Sequence, residues 1–262
     1  MPPAFTLRHA LLWTALITSG LWLGLSCVIL AFPHAGKDIV WLGLAQLAVY
    51  GLVLFGFAFA LAEPLRQVVA ARRAAPLMCL AALALGAALQ IPATLLSDII
   101  EHFFPMPAPV LAERLARITP HSAAHGIAIF LVVAGAGPLV EELFFRGALF
   151  GALRRGQSAL ATIIFTSLCF ALGHLDTHLL LPLFLTALAI GYVREVSGSV
   201  WPGVFLHTAF NAVTLAQAFH GELPGGHSPK VPLFTAISGC VLSVVLLSVV
   251  RRLAGPLRDA RQ

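Results

Sequence analysis

Eight apolar runs, separated by short polar or Gly/Pro-bearing stretches, make up most of the chain. They cover about 9–32, 39–62, 74–100, 126–150, 158–175, 179–193, 200–219 and 233–250. Most reach the roughly 20 residues that a helix needs to cross a bilayer. The third holds Pro92 near its end. The sixth is shorter, which suits a tilted, buried or partly re-entrant helix. The first exceeds the roughly 7–15 residues of a signal-peptide core, and only Arg8 precedes it, so it reads as a retained span. The pattern predicts an all-α fold: a polytopic membrane helical bundle of about eight transmembrane helices.

Composition agrees with this. Of the 262 residues, 59% are hydrophobic and 10% charged, and the mean hydropathy is +0.93. Soluble domains are about 45–50% apolar and about 25% charged. The net charge of +5 would suggest nucleic acid as a partner in a soluble protein. Here the basic residues sit where topology signals belong. With the N-terminus inside, Arg8, Arg66, Arg72, Arg73, Arg154, Arg155, Arg194, Arg251, Arg252, Arg258 and Arg261 fall on the inner side. Lys37, Arg114, Arg117 and Lys230 fall outside, eleven against four. The expected location is the cell membrane, multi-pass, with both termini cytoplasmic.

The loops carry little chemistry. The outer loop at about 101–125 contains Pro105, Pro107, Pro109 and an amphipathic stretch, Val110 to Arg117, suited to the membrane surface. The loop at about 220–232 is rich in Gly and Pro and reads as flexible. Cys27, Cys79, Cys169 and Cys240 form no CxxC pair and read as buried free thiols. His121, His125, His220 and His227 read as solvated. Asp98, Glu101 and His102 read as interfacial, and Asp176 and His178 as a turn.

Polar residues inside the runs stand out against this background. Run four carries Glu141-Glu142-Leu-Phe-Phe-Arg146, run five Phe170-Ala-Leu-Gly-His174, and run seven His207-Thr-Ala-Phe-Asn211. A charge at mid-membrane costs roughly 2.5–3.5 kcal/mol on insertion scales, so two adjacent glutamates need partners, a water-filled cavity or a task. Glu142 and Arg146 are four apart and can pair on one face, as can His207 and Asn211. Glu141 has no such cation. Three helices each offer one polar face, and apolar surroundings favour the meeting of those faces in a polar intramembrane cavity. Glu141 could act as general base toward water, with His174 holding that water from the other side. His207 and Asn211 could donate to a developing oxyanion. Glu142 with Arg146 also reads as a structural ion pair, and either histidine as interhelical glue. There is no His-Glu-x-x-His. Glu141, His174 and His207 remain candidate ligands for a catalytic metal such as zinc.

Together the motifs resemble the CPBP family: type II CAAX prenyl endopeptidases and bacteriocin-processing enzymes, also called the Abi family. Its pattern is Glu-Glu-x-x-x-Arg, Phe-x-x-x-His and His-x-x-x-Asn on successive helices, and every position is matched here. The tract Val200 to His207 and Gly147 are also similar. The resemblance implies an intramembrane endopeptidase with Glu141, Glu142, Arg146, His174, His207 and Asn211 in its site. It implies a membrane-associated protein or peptide as substrate. The chain then divides into N-terminal helices with the outer loop (1–125), a catalytic core (126–219), and a last helix with a basic tail (220–262). Rival readings are a non-catalytic scaffold or immunity protein of the same fold and a cation-coupled transporter. One geometric demand stands out. Counted along straight helices, Glu141 lies about 20 Å from the Arg154–Arg155 end and His174 about 28 Å. The two must nevertheless reach one depth.

Overall fold

The computed structural model describes residues 5–33, 35–220 and 231–259. His227, Lys230, Arg261 and most of the loop read at about 220–232 lie outside the described residues.

Each apolar run is a helix, because a helix satisfies its own backbone where water is absent. The helices are α1 (Leu7–Ala31), α2 (Ile39–Leu61), α3 (Pro76–Phe103), α4 (Ala108–Ile118), α5 (Ala123–Leu153), α6 (Ala159–Gly173), α7 (Leu180–Ser197), α8 (Trp201–Phe219) and α9 (Leu233–Asp259). Local chemistry sets their ends. Asp38, Ser122 and Ser158 cap α2, α5 and α6 by accepting from the backbone N–H of Val40, His125 and Ala161. Pro76 and Pro202 begin helices where no N–H is needed. Gly198 ends α7 in the left-handed conformation at φ 68°.

Among the described residues, six helices are long and apolar enough to cross a membrane: α1, α2, α3, α5, α7 and α9. By length and composition alone, these are six of the eight spans expected. The helices that fall short are α6, with 15 residues, and α8. They carry His174, His207 and Asn211. The sixth run, read as short, is instead an 18-residue helix and the most enclosed of the six.

Two apolar cores form. Phe57, Phe144, Phe145, Phe170 and Ala187 belong to one, built largely from α1, α2, α5 and α6. Met78, Leu85, Ile190, Leu206 and Phe210 belong to the other, built from α3, α7, α8 and α9. Helix α7 serves both through neighbouring residues, Ala187 and Ile190. Helix α3 packs most extensively on α8 and α9. At Gly86 the backbones of α3 and α8 come so close that a Cβ would lie 2.0 Å from Leu206 O.

Three readings of individual residues change. Among the cysteines, Cys169 is buried, Cys79 is half-buried, and Cys27 and Cys240 are exposed on the outside of the bundle. His125 is not in a solvated loop. It lies in the first turn of α5 with Nε2 3.2 Å from Asp38 Oδ1. Arg194 is not a loop charge: it sits in the last turn of α7, half-buried, and its Nε donates to Arg146 O at 2.8 Å. The amphipathic stretch Val110 to Arg117 is helical, within α4. It is tied by an Arg114–Asp176 ion pair to the turn between α6 and α7.

Candidate active site

Helix α5 changes register around the two glutamates. Leu131–Ala136 and Leu143–Leu149 are π-helical, and only Gly137–Glu142 between them is α-helical. Such widenings recur at functional sites. The first has a local cause. Gly137 N–H donates to Val132 O, five residues back. The next donor in that register would be residue 138, a proline without an N–H. The carbonyl left over is Val133 O, and Asn211 Nδ2 on α8 donates to it at 2.8 Å. Pro138 thus opens the acceptor that holds Asn211.

Glu142 and Arg146 are fully enclosed, at 0% exposure each. Arg146 Nη1 donates to Glu142 Oε1 at 3.2 Å, Nη2 donates to Ala187 O at 3.1 Å, and the guanidinium lies 4.7 Å from the Phe170 ring centroid. Phe170 of the second motif is therefore a lid on the Arg146 charge. Glu142 Oε2 and Arg146 Nε have no hydrogen-bond partner among the described residues. Gly203 lets α8 approach here: a Cβ at that position would stand 3.4 Å from Glu142 Oε2.

His207 stands between the carboxylates. Its Nδ1 is 3.1 Å from Glu142 Oε1, and its Nε2 is 3.7 Å from Glu141 Oε2. Nδ1 is thus within hydrogen-bond distance of Glu142, while Nε2 faces Glu141 at the longer ion-pair distance. Glu141, 8% exposed, is the carboxylate that reaches open space. It borders two cavities. One, of about 290 Å³, lies against α1 and α2 and is lined by Thr18, Trp22, Gln46, Tyr50, Glu141 and His174 among others. The other, of about 200 Å³, is lined by Gln46, Glu141, His174, His207 and Asn211 among others. His174 is exposed and borders both, with Nδ1 2.9 Å from Phe170 O.

All six residues singled out in the sequence therefore converge on one seam between the two cores, Glu141, His174, His207 and Asn211 on its cavities and Glu142 with Arg146 beneath. The depth demand is met. Residues 154–157 form a turn that adds no height, and α6 starts only at Ala159. Counted from there His174 stands about 22 Å up, near the 20 Å of Glu141. Gly147 lies within the continuous helix against the Val69 backbone, and Gly156 lies in the turn.

The sequence reading missed Gln46 and Tyr50 on α2. Gln46 Nε2 donates to Glu141 Oε1 at 2.5 Å. Tyr50 is buried, lines the larger cavity, and meets Phe144 and Phe145 edge-on at 6.0 and 6.4 Å. The signal was available: the two are four apart in an otherwise apolar run. Glu141, His174 and His207, the candidate ligands if a metal is present, are not gathered closely: among the described residues no three His, Cys, Asp or Glu side chains converge closely enough to hold a metal ion.

No curated protein and no solved structure matches the chain. The family described as Rce1-like, type II CAAX prenyl endopeptidase Rce1-like, matches residues 123–213. That stretch opens at the start of α5 and closes just beyond Asn211, so it takes in all three motifs. Over this third of the chain the protein, a helical multi-pass membrane protein, is similar to the Rce1-like family of CAAX-type prenyl endopeptidases.

Proposed function

We propose that the protein is an intramembrane endopeptidase that hydrolyses a peptide bond of a membrane-associated protein or peptide, with Glu141 as general base. The observation that carries this is the division of the glutamate pair. Glu142 is sealed by Arg146 and His207, whereas Glu141 borders both cavities opposite His174. In this reading water lies between Glu141 and His174. Glu141 takes its proton as the oxygen attacks the carbonyl carbon. The oxyanion accepts from His207 Nε2 and from the second N–H of Asn211 Nδ2, whose first is fixed on Val133 O. When the C–N bond breaks, Glu141 returns the proton to the leaving amine. The larger cavity gives a route for an apolar substrate from between α1 and α2. By the positive-inside rule, the end holding Arg72, Arg154 and Arg155 faces the cytoplasm.

The test is cleavage of a prenylated CAAX peptide and its unprenylated counterpart by purified protein in lipid vesicles. Wild type should cleave, and Glu141→Gln and His174→Ala should not, while both variants keep the thermal unfolding midpoint of wild type. Full activity in Glu141→Gln would refute the assignment. Inactive wild type with an intact fold would favour the scaffold reading.

A further inference from the structure

Away from the glutamates, at the Arg154–Arg155 end, a cavity of about 290 Å³ opens between the ends of α2, α5 and α7. Four arginines border it: Arg72, Arg154, Arg155 and Arg194. Two are already held. Arg154 donates to both carboxylate oxygens of Glu195 at 3.1 and 3.2 Å, and Arg155 grips both oxygens of Glu63. Among the described residues no ion pair joins Arg72 or Arg194 to a carboxylate, although Glu195, held by Arg154, also borders the cavity. Arg194 is anchored as a fork would need to be. Its Nε is fixed on Arg146 O, and its guanidinium lies 5.3 Å from the Phe150 ring centroid. Among the described residues its two terminal amino groups have no hydrogen-bond acceptor and border the cavity. Arg72 is fixed through its backbone, where its carbonyl accepts from Ser199 Oγ at 2.6 Å. The floor is clear: a Cβ at Gly151 would meet nothing within 4 Å.

Helices α2, α5 and α7 all end on this side, and arginines also serve helix C-termini by meeting their carbonyls. Arg154 instead meets Gln157 O, in the turn after α5, at 3.1 Å. That role explains neither two unpaired forks on one cavity nor the open floor. We propose that this cavity binds a phosphate group, with Arg72 and Arg194 as its ligands. Arginine forks match the oxygens of a phosphate with charge-assisted, paired hydrogen bonds. The group can come from an anionic phospholipid at the membrane surface or from free phosphate. The site is linked to the glutamates. Arg146 receives Arg194 on its carbonyl and holds Glu142 with its guanidinium. An occupant at Arg194 therefore bears on the residue that neutralises Glu142.

The test reads stability rather than cleavage, so its outcome is independent of the peptidase assignment. Full-length protein is unfolded thermally in detergent with and without inorganic phosphate. It is also unfolded in nanodiscs of phosphatidylcholine alone or with added phosphatidylglycerol. Ligand that binds the folded state raises the midpoint. Wild type should rise with phosphatidylglycerol or with phosphate. A rise with phosphate in detergent identifies the free ion as sufficient, and a rise with the lipid alone identifies the headgroup. The rise should be largely lost in Arg194→Gln and in Arg72→Gln, and kept in Arg251→Gln, which removes an exposed charge on α9. Arg72 is exposed, so its variant keeps the test sound if Arg194→Gln fails to fold. No rise with either probe, or the same rise in Arg72→Gln as in wild type, would overturn the site.

Discussion

Gln46 donates its side-chain amide to Glu141 Oε1 at 2.5 Å, across two helices and 95 residues of sequence. The bond occupies one carboxylate oxygen and leaves Oε2 toward His207. Gln46→Leu removes the donor while keeping an apolar side chain of similar size. Misplacing a catalytic group by about 1 Å can cost on the order of 100-fold in rate. The expected result is a fall in kcat of about 10- to 100-fold with KM little changed, measured on the peptide that wild type cleaves.

Arg146 and Glu142 should behave as structure more than as chemistry. Removing one partner of a buried ion pair leaves the other charge uncompensated, at about 3–5 kcal/mol. Arg146→Leu should therefore lower the unfolding midpoint strongly, whereas Glu141→Gln should leave it near wild type. Equal stability of the two variants would contradict the division between the carboxylates.

Asn211 is held by an acceptor that Pro138 creates. Asn211→Leu leaves Val133 O without that partner, a penalty of about 1–3 kcal/mol for a buried group. Restoring an N–H with Pro138→Ala should recover part of the loss, because residue 138 could then donate within α5. Thermal unfolding of the single and double variants measures this, and strict additivity would disprove the link.

One pH effect lies outside the spans. The hydrogen bond from Arg155 holds the Glu63 carboxyl below its usual range. A lowered pKa in the folded state means that the pair stabilises the fold above the ordinary carboxylate pKa and ceases to as pH falls through the lowered one. The groups are partly exposed, so the contribution is about 0.2–1 kcal/mol. Glu63→Gln should lower the midpoint slightly at neutral pH, and the difference should vanish in acid below the ordinary range of a glutamate. A difference that persists there would assign it to packing.

The helices were legible because the bilayer-length apolar runs leave the backbone few alternatives. All eight runs became helices, most of them close to the ends read from the sequence, while the last continues to Asp259 instead of ending near 250. The number of spans was less legible. Length and hydropathy alone cannot say that α6 and α8 are held among other helices, where His174, His207 and Asn211 meet protein groups and cavities. The six candidate residues could be singled out because charged and polar groups are costly in apolar runs. Gln46 escaped because an uncharged amide raises no such alarm, and its partner is on a different helix.

The sequence by itself determined the membrane class, the helices, and the residues that need one another. Periodicity and the cost of burying charge act locally, so they can be read along the chain. Only the tertiary structure decided which glutamate is sealed and which borders a cavity. Adjacent residues on a helix point about 100° apart, so their fates depend on neighbours from α2, α7 and α8. Gln46, Ala187 and Gly203 are those neighbours, and no local rule brings them to Glu141 and Glu142.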